Sequence, residues 1–176
     1  NRDVWRRFRG AGRLVRGGGR TRSAAVDFFV LRTRPGRPTQ MTDAATIAKE
    51  LRRLLANAHA PYSGVHVSCA VETPDGALHY GVNVENAAYP QGVCAEASAI
   101  SAAVTDGSMA IARVYVASSL PELVWPCGGC RQKIFEFSTQ RCEVVSLGPG
   151  GEVERQTIEQ LLPLGFRLNP TQVRPN

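Results

Sequence analysis

The sequence predicts an α/β protein, a mixed sheet covered on its faces by helices. Three observations predict it. From Met41 onward, segments with period-2 alternation take turns with segments at helical spacing. Two of the alternating segments flank a Pro74-Asp75-Gly76 turn, which makes one hairpin. The later strand patterns alternate with helix patterns.

The elements follow in order. Thr42 or Asp43 caps a first helix. Ile47, Leu51, Leu54, Leu55 and Ala58 form its apolar face, with Lys49, Glu50, Arg52 and Arg53 elsewhere, and Pro61 ends it. Val65, Val67, Cys69 and Val71 alternate with His66, Ser68, Ala70 and Glu72 in a first strand. Leu78, Tyr80, Val82 and Val84 alternate with His79, Gly81, Asn83 and Glu85 in a second. An Ala/Ser-rich helix spans about 93–106, with Gly107 as its stop. A third strand covers 111–118. Pro126-Cys127-Gly128-Gly129-Cys130 opens a helix running to about 138, and 142–147 is a fourth strand. A short fifth strand is a candidate around Val153. Thr157-Ile158-Glu159-Gln160 is a capping box that starts a last short helix, ended by Pro163.

Composition divides the chain at Met41. Residues 1–40 carry 11 arginines and two aspartates, whereas the remainder carries 10 basic and 13 acidic residues. The overall charge of +6 therefore belongs to the first segment, and the acidic body offers no support for a nucleic-acid-binding surface. Residues 1–40 are rich in Arg, Gly, Ala and Pro and lack an amphipathic period, so disorder is the expectation. A transit-type presequence, a basic arm and a leader preceding a true start at Met41 all fit, and the leader is preferred. The expected organisation is a 1–40 basic segment, a 41–169 domain and a 170–176 tail. No apolar run approaches the roughly 18 residues of a membrane span. Five cysteines without a secretory signal point to reduced thiols, a cytoplasmic setting and metal ligation before disulfides.

The strongest chemical signal is Pro126-Cys127-Gly128-Gly129-Cys130, paired with Cys94-Ala95-Glu96 about thirty residues earlier. Both lie where a loop becomes a helix, and there the N-terminal amides favour thiolate over thiol. Three protein ligands leave a fourth tetrahedral position for water, the pattern of a catalytic zinc site, and Glu96 is placed to handle that water's proton. A redox Cys-x-x-Cys or a structural zinc site, with Cys69 or Cys142 as fourth ligand, stays open on spacing alone. Those two cysteines lie in strand patterns, where a free cysteine usually acts as a small core residue. His59, His66 and His79 show no ligand spacing, and the last two suit a polar strand face.

The zinc motif resembles the three-cysteine variant of the zinc deaminase signature. With Ala60-Pro61-Tyr62-Ser63, the run from Asn83 to Pro90, Cys130-Arg131-Gln132, and Leu161-Leu162-Pro163 with Phe166, the chain resembles the small homotetrameric cytidine deaminases from about 57 to 166. That resemblance implies a three-layer α/β/α fold with a mixed five-stranded sheet. It implies zinc-dependent hydrolytic deamination of cytidine or deoxycytidine to the uridine form plus ammonia, in pyrimidine salvage. Cys94, Cys127 and Cys130 match the zinc ligands and Glu96 the general acid/base. Asn83 and Glu85 match residues that hold the ribose 3′-hydroxyl, and their i, i+2 spacing on a strand independently puts both on one face. Ala95 matches a backbone contact to the base. Ala87 and Tyr89 match residues that reach a neighbouring subunit's site, and Phe166 an aromatic from an adjacent subunit that covers the pyrimidine. The expected partners are a small nucleoside and further copies of the chain in a homotetramer, not nucleic acid or a membrane. A blasticidin S-type or other aminopyrimidine nucleoside deaminase is the alternative. Two positions depart from the family pattern. Ala97 stands where an arginine usually follows the glutamate, so helix amides or Arg131 must offset thiolate charge, or the bound water has a higher pKa. Val65 stands where a phenylalanine is typical, which leaves space near the base.

Overall fold

A computed structural model describes residues 43–168. The expectations for the 1–40 segment and the 170–176 tail lie outside the described residues, as does Thr42, the alternative helix cap. The first helix, α1 (Ala44–Leu54), starts where Asp43 accepts the Thr46 amide at 2.7 Å, satisfying one of the free N–H groups of the first turn. A 3-10 turn over Leu55–Asn57 extends it. Five strands then form one sheet: β1 (Val67–Glu72), β2 (Leu78–Val82), β3 (Ile111–Ser118), β4 (Ser138–Leu147) and β5 (Val153–Thr157). Their spatial order is β2-β1-β3-β4-β5, with β3 and β4 parallel and the other pairs antiparallel, which is the expected mixed sheet. Helix α2 (Ala95–Thr105) connects β2 to β3, and α3 (Gly128–Phe137) connects β3 to β4. Helix α4 (Ile158–Leu161) follows β5 through the predicted capping box: Thr157 accepts the Gln160 amide, and Gln160 accepts the Thr157 amide. Among the described residues no helix is long and apolar enough to cross a membrane.

The period-2 alternation sorts side chains onto two faces. Ala70, Tyr115, Ala117, Val145 and Leu147 face α1 and pack on Ile47, Ala48 and Leu51. Cys69, Val71, Val114, Val116, Cys142 and Val144 face the other way, against Ala95, Ala99, Ile100 and Ala103 of α2, Ile134 of α3 and Ile158 of α4. The result is three layers, α/β/α. Each fully buried Val, Leu or Ile contributes about 1.5–3 kcal/mol, so both faces are needed. A charged row crosses the sheet on the α1 face: Glu72 on β1, Arg113 on β3 and Glu143 on β4 are direct cross-strand neighbours. Arg113 bridges the two carboxylates at 3.2 Å each. The Tyr115 hydroxyl also donates to Glu72, and its phenol is pushed up to about 12 by burial and then by that carboxylate.

Boundaries differ from the sequence pattern in three places. First, β1 begins at Val67 rather than Val65, and β2 stops at Val82 instead of reaching Glu85. The edge beyond Val82 is taken by non-strand chain. Asn83 and Glu85 exchange backbone hydrogen bonds with His59, while Val84 exchanges a pair with Val93. Second, β4 starts at Ser138, well before Cys142. Its ladder with β3 shifts register between Ile111↔Ser138 and Arg113↔Glu143, and Arg141, at φ 71, lies in the extra chain. Third, α2 begins at Ala95, so Cys94 is its N-cap and not an interior residue.

Alanines at i, i+4 and i+8 (Ala95, Ala99, Ala103) form the buried stripe of α2, and opposite them lies Gly81 on β2. A Cβ at position 81 would lie 2.3 Å from the Ala99 amide nitrogen and 2.5 Å from the Ala95 carbonyl oxygen. The helix backbone therefore rests directly on the strand. Gly81→Ala is expected to lift α2 and to destabilise the fold by about 1–3 kcal/mol or more, the usual cost of overpacking. Chemical unfolding of the variant against the parent measures this, and an unchanged midpoint would mean that α2 can slide without loss.

Candidate active site

Two helix starts meet at one end of the sheet. Cys94 is the N-cap of α2 and Cys127 the N-cap of α3, both with extended backbone, and Cys130 lies in the first turn of α3. Their sulfurs lie within 4.8 Å of one another, and among the described residues no other group of three metal-ligating side chains does so. Zinc–sulfur bonds of about 2.3 Å in a tetrahedron set sulfurs roughly 3.8 Å apart, so small rotamer adjustments complete the cluster. Cys69 and Cys142 are buried in β1 and β4 and are not members of the group, so the four-cysteine structural site is not formed. Burial, then the Glu96 charge, pushes the Cys69 thiol well up. Burial pushes the Cys142 thiol up to about 12. Both are neutral core residues.

Glu96 sits in the first turn of α2 and is buried at 4% exposure. Its Oε2 accepts from the Cys130 thiol at 3.4 Å. Three converging sulfurs beside a buried carboxyl group are a donor set suited to a soft dication. Burial and then the Glu96 charge raise the Cys130 thiol, and burial raises Cys94. At Cys127 burial also pushes upward, but the Cys130 amide and the neighbouring thiols outweigh it, and that thiol falls below its ordinary value. The donor set and its charge fit a dication.

The cluster opens into a cleft of ≈ 270 Å³ lined on one side by Asn83, Cys94, Ala95, Glu96 and Cys127. Ser63, Val65, Val67, Val124 and Trp125 make the other walls. Asn83 is clamped, its Oδ1 accepting the Val67 amide at 2.7 Å and its Nδ2 donating to the Val65 carbonyl at 2.9 Å. It thus fixes the chain that forms one wall. A second cleft of ≈ 370 Å³ shares Ser63 and is lined by Tyr62, Glu85, Asn86, Tyr89 and Gly92. Glu85 accepts from the Ser63 hydroxyl and from the Tyr62 and Ser63 amides. The Ser63 hydroxyl, then the Tyr62 amide, holds its carboxyl below the usual range.

The structure therefore brings together Cys94, Cys127, Cys130, Glu96, Ala95 and Asn83, with Glu85 and Tyr89 in the adjoining cleft. Ala87 and Phe166 line neither cleft. Phe166 is 66% exposed and Tyr89 73%, so neither is a core plug. The sequence pattern gave no role to Val124 or Trp125. Their position just before Pro126-Cys127, on the loop that delivers a ligand, is the signal that marks them.

Residues 41–146 match the family model for the cytidine and deoxycytidylate deaminase zinc-binding region. The chain belongs to this deaminase family. It is 35% identical to the cytidine deaminase of Sporosarcina psychrophila, over 70% of this chain and 91% of that protein. It is 36% identical to the cytidine deaminase of Mycoplasma pneumoniae, over 71% and 95%. The crystal structure of cytidine deaminase from Burkholderia pseudomallei superposes with a TM-score of 0.67 at 32% identity, covering 71% of this chain and all (100%) of that one. The one from Mycobacterium leprae does so with 0.58 at 39% identity, covering 66% and 93%.

The matched region binds zinc in this family, and the three-sulfur cluster lies within it. The deaminase site handles thiolate charge without an arginine after Glu96, where Ala97 stands. Arg131 does not replace it. Its Nε donates to the Pro126 carbonyl at 2.8 Å and its Nη1 to the Leu161 carbonyl at 2.9 Å, which pins the loop before Cys127 to the end of α4. The α2 and α3 N-termini remain to offset the charge.

Because Cys94 and Cys130 are raised, metal must displace their protons, and affinity falls as pH falls. Each proton displaced makes zinc binding about tenfold weaker per pH unit. Competition with a chromogenic chelator across the pH range in which the fold persists measures the slope, and a flat profile would contradict thiol ligation.

Proposed function

We propose that this chain deaminates cytidine and deoxycytidine by hydrolysis, releasing ammonia and the uridine form. The observation that carries the reading is the buried Glu96 carboxylate against the three-sulfur cluster, at the floor of a cleft that also receives Asn83. Cys94, Cys127 and Cys130 hold the zinc. When bound, zinc supplies a water acidic enough to give up a proton near neutral pH. Glu96 takes that proton on a carboxylate oxygen and passes it to N3 of the cytosine ring, which makes C4 electrophilic. The oxygen that gave up that proton bonds to C4, and Glu96 carries its remaining proton to the 4-amino group, which leaves as ammonia as the C4 carbonyl forms. Burial keeps bulk water from competing for these protons. Asn83 and Glu85 bind the ribose 3′-hydroxyl, and the Ala95 backbone contacts the base. The relatives described above are named cytidine deaminases, and nothing among them favours the blasticidin S-type reading.

Ammonia release from cytidine, with metal analysis of the same sample, tests the activity. Glu96→Gln should keep zinc and lose turnover by on the order of 10²–10⁴-fold, the contribution of a general acid/base group. Cys69→Ser and Cys142→Ser should keep zinc, while serine at Cys94, Cys127 or Cys130 should lose it. Turnover of Glu96→Gln within tenfold of the parent would remove the glutamate from this role.

The reading extends to a homotetramer in pyrimidine salvage in the cytoplasm. Ala87, Tyr89 and Phe166 then complete the sites of neighbouring copies. The exposure of Tyr62, Val84, Tyr89, Val93 and Phe166 supports it, since all but Phe166 lie on or beside the chain bordering the clefts. Sedimentation of a dilute, active sample should find a tetramer, and a fully active monomer would exclude shared sites.

A further inference from the structure

The cleft at the sulfur cluster is lined by polar and apolar side chains, and one of them is aromatic, Trp125. Three of the others are valines: Val65, Val67 and Val124. Trp125 is partly buried against the core of the α2/α3 face and still lines the cleft. Its backbone is held on both sides. The Val124 carbonyl accepts the Ser146 hydroxyl at 2.9 Å, and the Pro126 carbonyl accepts Arg131 Nε at 2.8 Å. Pro126 also confines the residue before it to extended backbone. The loop that carries the indole is therefore anchored, and Trp125 lies two residues before Cys127 and packs against the core.

A planar heteroaromatic ring whose reactive carbon must meet Glu96 and the sulfur pole needs flat, apolar support beside it. An indole gives the largest such surface of any side chain and loses little conformational freedom in doing so. Val65 and Trp125 line the same cleft. On the reading that the chain acts on a cytosine nucleoside, we propose that Trp125 is a substrate-binding residue: its indole stacks on the pyrimidine and determines selectivity for an aromatic base.

The test uses the full chain. Trp5 is the other of its two tryptophans, so Trp5→Phe leaves Trp125 as the sole indole. Its emission, excited at the red edge where nucleosides do not absorb, is followed as the product uridine is added. The expected result is saturable quenching with the same constant that uridine shows as an inhibitor of cytidine turnover. Inhibition by uridine with unchanged emission would overturn the proposal and leave the deaminase reading intact. Quenching by uridine in a zinc-loaded chain that releases no ammonia from cytidine would break the deaminase reading and support the stacking. In parallel, Trp125→Leu should raise KM for cytidine about tenfold or more, as loss of base stacking does. Its kcat should stay within roughly threefold, the signature of binding lost equally from ground and transition states. Trp125→Phe should restore most of the KM. A leucine variant with its zinc and unfolding midpoint intact and an unchanged KM would also overturn the proposal.

Discussion

The contact of α2 with β2 at Gly81 is the constraint on which the rest depends. The strand meets the helix backbone there because position 81 has no Cβ, with the Ala99 amide, the Ala95 carbonyl and the Ser98 Cβ directly against it. That approach fixes the height of the α2 N-terminus above the sheet, and three functional consequences follow in one step of chain. Cys94 becomes the cap, Ala95 the floor of the cleft, and Glu96 a buried carboxylate rather than a solvated one. A bulkier stripe on α2 would raise all three together and open the sulfur cluster. The backbone bridge of His59, Val84 and Val93 works to the same end from the other side. It ties the chain leaving α1, the end of β2 and the residue preceding Cys94 into one unit, so that Asn83 and Glu85 keep a fixed position relative to the cluster.

Charge at this site is balanced by backbone, not by a neighbouring cation. Three thiolates and one dication leave a net negative charge, which makes a bound water less acidic than at a site of neutral ligands. The arginine that follows Cys130 is spent on carbonyls of Pro126 and Leu161. Backbone acts at one sulfur of the cluster, through the first turn of α3. The Cys130 amide lowers the Cys127 thiol by this means. Arg131 still serves the site, since it fixes the loop that sets both the Cys127 sulfur and the Trp125 indole.

Much of this was legible in the sequence because it rests on local rules. Alternation at 65–72 and 78–82 marks the first two strands, the third and fourth strands lie where the pattern places them, and the capping box at Thr157 appears as written. The convergence of Cys94, Cys127 and Cys130 beside Glu96 was legible because helix starts and Cys-x-x-Cys spacing are local features. The misses are where tertiary pairing overrides pattern. Alternation continues through Asn83 and Glu85, but β2 ends at Val82, since the chain at 59 and 93 captures the edge. The early start of β4 depends on a register shift against β3, which alternation does not encode. Trp125 carries no alternation signal, because a single aromatic in a Pro-containing loop has no period. Only the packing of Val124 and Arg131 around it shows which way the loop is held.

A single chain leaves the two clefts unequal. The one beside the sulfurs has a rigid floor and back wall, made from the ends of the sheet and two helix starts. The other is bordered by Tyr62 and Tyr89, whose rings meet edge to face at 5.6 Å while both side chains remain largely exposed. Aromatic rings paired in solvent bury little of their own surface, so they stabilise the loop weakly and become worth more when covered. Phe166 shows the same imbalance at the C-terminal end of the described chain: its carbonyl is held by Gln132 at 2.8 Å, while its ring faces outward. A backbone fixed with its aromatic side chain projecting away is suited to insertion into another copy. The chemistry-bearing residues are thus assembled within one chain, and the residues proposed to close the pocket over a nucleoside are presented outward by the same scaffold.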